Sequence, residues 1–256
     1  MGLKDFFGGN KKKEELAEKA KDVVSSDGKL TPKTTEKLKA FAQENEADLA
    51  DDKTRLRRDI YNKAVGMAKA QGKLSEGEAA ELAKMQKFLA LRDDQVEKTK
   101  WDLARLRTVT EIRQGKLPMV ASSNVALRGI PFDPDETAHY AVQVDIQDRP
   151  SASGLPGVQV KWATPYTVNS ARAHTLPADG AKELGDGYLI LTNKRLVLRP
   201  SQGKIAAVAY APEANLYLYG DGIRIERTIG NTILKFKSKS DGTAEIVGEL
   251  LAALMR

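Results

Sequence analysis

Cysteine is absent from this 256-residue chain, which excludes disulfides, thiolate nucleophiles and zinc-cysteine sites together. No apolar run reaches the ~18 residues that mark a membrane span. Histidine is scarce, with His139 and His174 alone, so a two-histidine metal or acid-base pair has little to draw on. A large charge of one sign is also lacking. The chain holds 41 basic and 35 acidic residues, net +6, with the signs interspersed. A dedicated nucleic-acid binder carries a basic stripe instead. The N-terminal MGLKDFFGGNKKK is too short in apolar residues for a secretory signal. It also has Phe6 where myristoylation requires Ser or Thr. A reducing, cytoplasmic setting is the expectation.

What is present is a 41% hydrophobic, 30% charged composition, ordinary for folded domains and ample for a core. From about Asn10 to Gln114 the apolar residues recur at helical spacing: Leu16, Ala20, Val23 and Val24, then Leu56, Ile60, Ala64, Met67 and Ala68. Thr31-Pro32 reads as an N-cap with proline in the first turn. Ser75-Glu76-Gly77-Glu78 reads as a capping box ahead of Leu82, Met85, Phe88 and Leu89. A last helix is expected from about Asp94 to Arg113, with Val96, Leu103, Leu106 and Val109 inward. Gly28-Lys29-Leu30-Thr31 recurs as Gly72-Lys73-Leu74-Ser75, an offset of 72 − 28 = 44, and that offset also pairs Ala20 with Ala64 and Leu38 with Leu82. A duplicated helical hairpin is the reading, each copy burying its stripe on the other.

Past about Thr137 the period changes to alternation. Short runs rich in β-branched and aromatic residues (HYAVQVDI, VQVKWAT, YLILT, RLVL, IAAVAY, NLYLYG, GIRIERT, TILKFK) are separated by turn residues. DGTAEIVGELLAALMR then predicts an amphipathic helix capped by Asp241 or Thr243. The fold class expected is α+β: an N-terminal bundle of repeated hairpins, then an antiparallel β-barrel or sandwich of seven or eight strands with a C-terminal capping helix. The expected organisation is a flexible segment 1–13, a helical bundle 14–114, a connector 115–136 and a β domain 137–256.

Within the second half, Gly187, Leu189, Leu191, Thr192, Asn193, Lys194, Arg195 and Leu196 resemble the G-x-L-x-[IL]-T-N-[KR]-R-[LIV] hairpin of GRAM and bacterial pleckstrin-homology-like (PH-like) domains. IRQGKLPMV, HYAVQVDIQDR and DGIRIER extend the likeness over about Ile112 to Leu254. The helical half resembles the TerB-like fold of tellurite resistance through SDGKLTPKTTEKL and AQGKLSEGEAAEL, although Gln71 replaces the aspartate expected before the second glycine. PH-like domains dock lipid headgroups or protein segments, so the resemblance implies binding and not turnover.

The expected activity is therefore non-enzymatic: a cytosolic binding or adaptor protein with a protein partner, weak contact with anionic lipid, no nucleic acid and no cofactor. For an anion or membrane contact the candidate residues are Lys11, Lys12, Lys13, Arg149, Lys161, Lys194 and Arg195, with a peripheral place at the inner membrane face as one consequence. Lys194 and Arg195 are explained first by hairpin geometry. An EF-hand fails at both glycine turns for want of oxygen ligands. A looser site in a metal-ion-responsive stress-resistance module of the TerB-like type would use Asp27, Asp48, Asp51 and Asp52, residues that otherwise cap helices and solubilise. A hydrolase would centre on His139 beside DPDET, yet no serine elbow or second histidine accompanies it. Arg55, Arg57 and Arg58 read as ion-paired with Asp51, Asp52 and Asp59 on a helix face. Lys235, Lys237 and Lys239 read as the wet side of a strand, and Trp101 and Trp162 as core anchors.

Overall fold

Gly28 and Gly72 hold left-handed backbone, with φ of +67° and +63°, and each ends the first helix of a hairpin. A β-carbon disfavours that conformation, which is why the two turns share a glycine. The computed structural model describes residues 3–47, 49, 55–149, 158–160, 175–176, 180–211, 215–226, 231–237 and 242–255. The chain divides into two compact units, 1–110 and 111–256.

The first unit contains α1 (Leu3–Ser25), α2 (Thr34–Glu44), α3 (Arg55–Gln71), α4 (Glu76–Phe88), a short 3-10 turn (Asp93–Gln95) and most of α5 (Glu97–Arg113). The 44-residue repeat is visible in what is buried. Ala20 and Ala64, Val24 and Ala68, Leu30 and Leu74, and Leu38 and Leu82 are all 5% exposed or less and belong to one cluster. Ser75 caps α4 as expected: its Oγ accepts from the Glu78 N–H, and the Glu78 carboxylate accepts from the Ser75 N–H at 2.9 Å. The equivalent start of α2 differs. The helix begins at Thr34 without a side-chain N-cap, and the Thr31 N–H donates to Thr34 Oγ1 at 3.0 Å. The N-terminal donors of α2 are served from another helix, since Glu81 of α4, 1% exposed, accepts from the Thr35 N–H at 2.6 Å. Leu106 and Val96 enter the same core, whereas Trp101 is 66% exposed. The expectation of a core tryptophan there is corrected: the inward stripe of α5 is Leu103 and Leu106, and Trp101 falls off it by helical phase.

The second unit is a single antiparallel sheet of β1 (Ala138–Arg149), β2 (Val158–Val160), β3 (Lys182–Thr192), β4 (Arg195–Pro200), β5 (Ala206–Ala209), β6 (Leu216–Leu218), β7 (Gly222–Glu226) and β8 (Asn231–Phe236), followed by α6 (Thr243–Leu254). The strand order is β2-β6-β7-β8-β1-β3-β4-β5, and the sheet curls as a half-barrel. Its concave face supplies Val144, Leu189, Leu191, Leu196, Leu198, Leu218, Ile223, Ile225 and Leu234, against which α6 lays Val247, Leu250 and Leu251. The N-cap of α6 is Gly242 with no side-chain bond, so Thr243 sits inside the helix, and Asp241 lies outside the described residues. On the other face, Ile190 and Val197 meet Ala126, Ile130 and Ala138 in a second, smaller cluster that Val120, Leu127 and Phe132 complete. The polypeptide before β1 therefore covers the outside of β3 and β4. Its attachment is reinforced where the Val120 N–H donates to the Ala138 carbonyl at 2.9 Å.

Candidate functional site

Two basic constellations stand on the second unit, and they differ in whether their charges are already used. The first is the β3–β4 tip. Thr192 Oγ1 accepts from the Lys194 and Arg195 N–H groups at 3.1 and 3.0 Å, which closes the turn. Asn193 Oδ1 accepts from the Thr137 N–H at 2.8 Å, and its Nδ2 donates to the Asp135 carbonyl at 2.9 Å. Lys194 pairs with Asp133 and Asp135. Arg195 forks onto Glu136, with Nε to Oε1 and Nη2 to Oε2 both at 2.9 Å, and also donates to the Pro131 carbonyl at 2.6 Å. The Glu136 side chain is fully buried. Burial alone would push its carboxyl up. The Arg195 guanidinium and Thr192 hydroxyl outweigh that and hold it below its ordinary value. Both cations of the tip are thus committed to the acidic segment 133–136, and an outside anion would have to displace those carboxylates.

The second constellation lies on the convex face of β7, β8 and β1. Strand alternation puts Ile223 and Ile225 in the core and so turns Arg224 to the opposite side. Arg224 is nevertheless only 3% exposed. Its guanidinium stacks on the Tyr217 ring, 3.9 Å from the centroid, and Nη1 donates weakly to Asn231 Oδ1 at 3.5 Å. Asn231, 1% exposed, stands directly opposite Arg149 on β1 and opposite Glu226 on β7. Three nitrogen donors in this group, Arg149 Nη1, Arg224 Nε and Asn231 Nδ2, are buried without a hydrogen-bond partner. Each such group costs roughly 1–3 kcal/mol when desolvated and unpaired. Among the described residues, no carboxylate stands within ion-pair distance of either guanidinium. Tyr219 Oη, one residue past the end of β6, is also buried and unpartnered.

Of the other residues singled out in the sequence, Lys161, His174, Trp162, Asp48, Asp51, Asp52 and Lys239 lie outside the described residues, as do the side chains of Lys11, Lys12 and Lys13. Asp27 is held by Lys37 at 2.7 Å, and that contact lowers its carboxyl. No group of three or more potential metal ligands occurs among the described residues. His139 Nδ1 lies 2.7 Å from the Pro118 carbonyl, which assigns the proton to Nδ1. Lys235 is exposed beside the buried Phe236, and Lys237 pairs with Asp145 at 3.0 Å and Asp186 at 3.5 Å. Arg57 donates to the Ala90 carbonyl at 3.2 Å, past the C-terminal end of α4. No helix of the described residues is long and apolar enough to cross a membrane.

Sequence reasoning found Arg149 but missed Arg224 and Asn231. The signal available was the pairing of GIRIER with NLYLYG, where an arginine and a tyrosine occupy the same strand phase one turn apart. No protein-family model matches the chain, and a search of curated proteins returns no match.

Proposed function

We propose that this chain is a non-enzymatic binding protein whose C-terminal unit docks an acidic segment of a protein partner on the convex face of β7, β8 and β1. The observation that carries this reading is the trio Arg149, Arg224 and Asn231, whose buried donors lack partners. A half-barrel with a helix packed in its concave face is compatible with the PH-like fold that the T-N-K-R hairpin resembles, and docking is what such domains do. The helical unit, in this reading, carries a second interaction surface.

A protein segment is favoured over a flat anionic bilayer for an electrostatic reason. Adsorption to lipid gains about 1 kcal/mol per basic residue held near the surface. Here Lys194, Arg195 and Lys237 are neutralised by Asp133, Asp135, Glu136, Asp145 and Asp186. A recessed pair of arginines instead suits one protruding anionic group.

The test uses two surfaces. The full chain is applied to immobilised peptides of matched length, one set rich in Glu and Asp and one with Gln and Asn in their place, and in parallel to phosphatidylserine vesicles in a flotation assay. Retention on the acidic set alone supports docking of a protein segment. Flotation with the vesicles and no retention on peptides makes the membrane the partner. Neither response removes the reading.

A further inference from the structure

We propose that Arg149, Arg224 and Asn231 form a site for a single carboxylate, supplied by a glutamate or aspartate side chain of a bound peptide. The inference rests on the docking reading above and names the group that is docked.

The register fixes the geometry. Arg149 and Asn231 are directly opposed across β1 and β8. Arg224 is opposite Ile233 on β8, two residues from Asn231, and so is its diagonal neighbour on one face. Asn231, on the strand between β1 and β7, therefore stands between the positions of the two arginines. Stacking on Tyr217 uses the flat face of Arg224 and leaves its donors at the edge of the plane, the arrangement in which arginine recognises a carboxylate. Ile233, wholly buried, flanks Arg224 on the same face across the β7–β8 pair. Arg149, Tyr217 and Glu226 are half-buried, so the rim reaches solvent while Arg224 and Asn231 do not.

Charge and valence select the ligand. Every unpartnered atom of the trio is a donor, which excludes a metal cation or an ammonium group. The two arginines supply two positive charges and Glu226 returns one negative charge, for a local net of one. A carboxylate cancels that charge, and its two oxygens offer about four lone-pair positions for three donors. A phosphate monoester carries about −1.5 to −2 at neutral pH and would face Glu226 uncompensated. Burial and the neighbouring Glu226 carboxylate push the Tyr217 hydroxyl up. The same unit already shows this chemistry in the two-point fork of Arg195 on Glu136.

The experiment is a titration of the full-length chain, nitrogen-15 labelled, at constant ionic strength. The probes are the blocked tripeptide acetyl-Gly-Glu-Gly-amide, its Gln counterpart, sodium acetate and inorganic phosphate, each against a sodium chloride control. The signals followed are the arginine Nε–H resonance of Arg224 and the Nδ2 resonances of Asn231. The expected result is a saturable shift of both with the Glu tripeptide, none with the Gln tripeptide, and about tenfold weaker binding in Arg149→Gln. Tighter saturation by phosphate than by the Glu tripeptide overturns the carboxylate assignment and leaves anion docking standing. Saturation by acetate with the tripeptide excluded overturns the peptide source. No saturable shift with any probe overturns both this inference and the docking reading. The wild-type titrations decide the matter even where Arg149→Gln fails to fold.

Discussion

Glu136 and Arg195, 59 residues apart in sequence, meet in a two-point fork whose carboxylate is fully buried. The pair joins the segment before β1 to the turn between β3 and β4, and it explains why so basic a tip follows so apolar a strand. The lysine and arginine are the receptor for an acidic loop of the same chain.

Replacing Glu136 by Gln keeps the shape and removes the charge. A loss of about 1–3 kcal/mol is expected in urea unfolding, because charge-assisted hydrogen bonds contribute about that much and Arg195 keeps partial access to water. The pH dependence has a definite sign. The folded carboxyl lies below its ordinary value of 4.5, so its stabilisation is present above that value and disappears as pH falls through the folded one. Unfolding midpoints of wild type and Glu136→Gln therefore converge in acid and separate toward neutral pH. Equal separation at both ends contradicts the assignment.

Glu81→Ala removes the buried carboxylate that serves the start of α2. The Thr35 N–H is then left without its acceptor, and a cost of about 2–3 kcal/mol is expected in thermal or urea unfolding. Hydrogen exchange localises the effect: the first turn of α2 loses protection more than α4 does.

Two glycine-to-alanine changes separate backbone conformation from crowding. At Gly72 an added Cβ meets nothing within 4 Å, and the penalty is the left-handed φ alone, about 1 kcal/mol. At Gly187 the Cβ stands 2.4 Å from the Arg199 carbonyl oxygen and 2.8 Å from the Pro200 Cα, both backbone atoms of the paired strand. Relief requires β3 and β4 to separate, so Gly187→Ala costs about 3 kcal/mol or more. Comparable melting temperatures for the two variants overturn this distinction.

Trp101→Ala changes stability by less than about 0.5 kcal/mol, the ordinary range for a surface replacement, since the side chain is 66% exposed. In a chain carrying Trp162→Phe, iodide quenching of the remaining fluorescence is expected to approach that of free tryptophan. A shielded response contradicts the exposed placement.

Much of the architecture was legible because two periodicities carry it. The alternation past Thr137 marked every strand of the described residues, and the 44-residue offset marked the hairpin pair down to Ala20 with Ala64. The capping box at Ser75 was readable since its partners are three residues apart. Glu81 serving Thr35, 46 residues away, was not, because local sequence carries no signal for a cap borrowed from another helix. Trp101 was misassigned by residue type: a large aromatic suggests burial, but its phase on α5 decides otherwise. For the candidate site, Arg149 was readable as a cation at the end of a strand. Arg224 between Ile223 and Ile225 has the pattern of a wet face, and only the burial of that face reveals it. Asn231 becomes meaningful through register alone.

The measurement that bears most directly on the docking account is fluorescence anisotropy of a labelled acidic peptide, titrated with the full-length wild-type chain and with the variants Arg149→Gln and Lys194→Gln. Saturable binding by wild type is expected, with a loss of about tenfold or more in Arg149→Gln and little change in Lys194→Gln, whose cation is already paired with Asp133 and Asp135. Equal weakening by the two variants, scaling only with the charge removed, would place the interaction in the general field of the protein and contradict a site built from Arg149, Arg224 and Asn231.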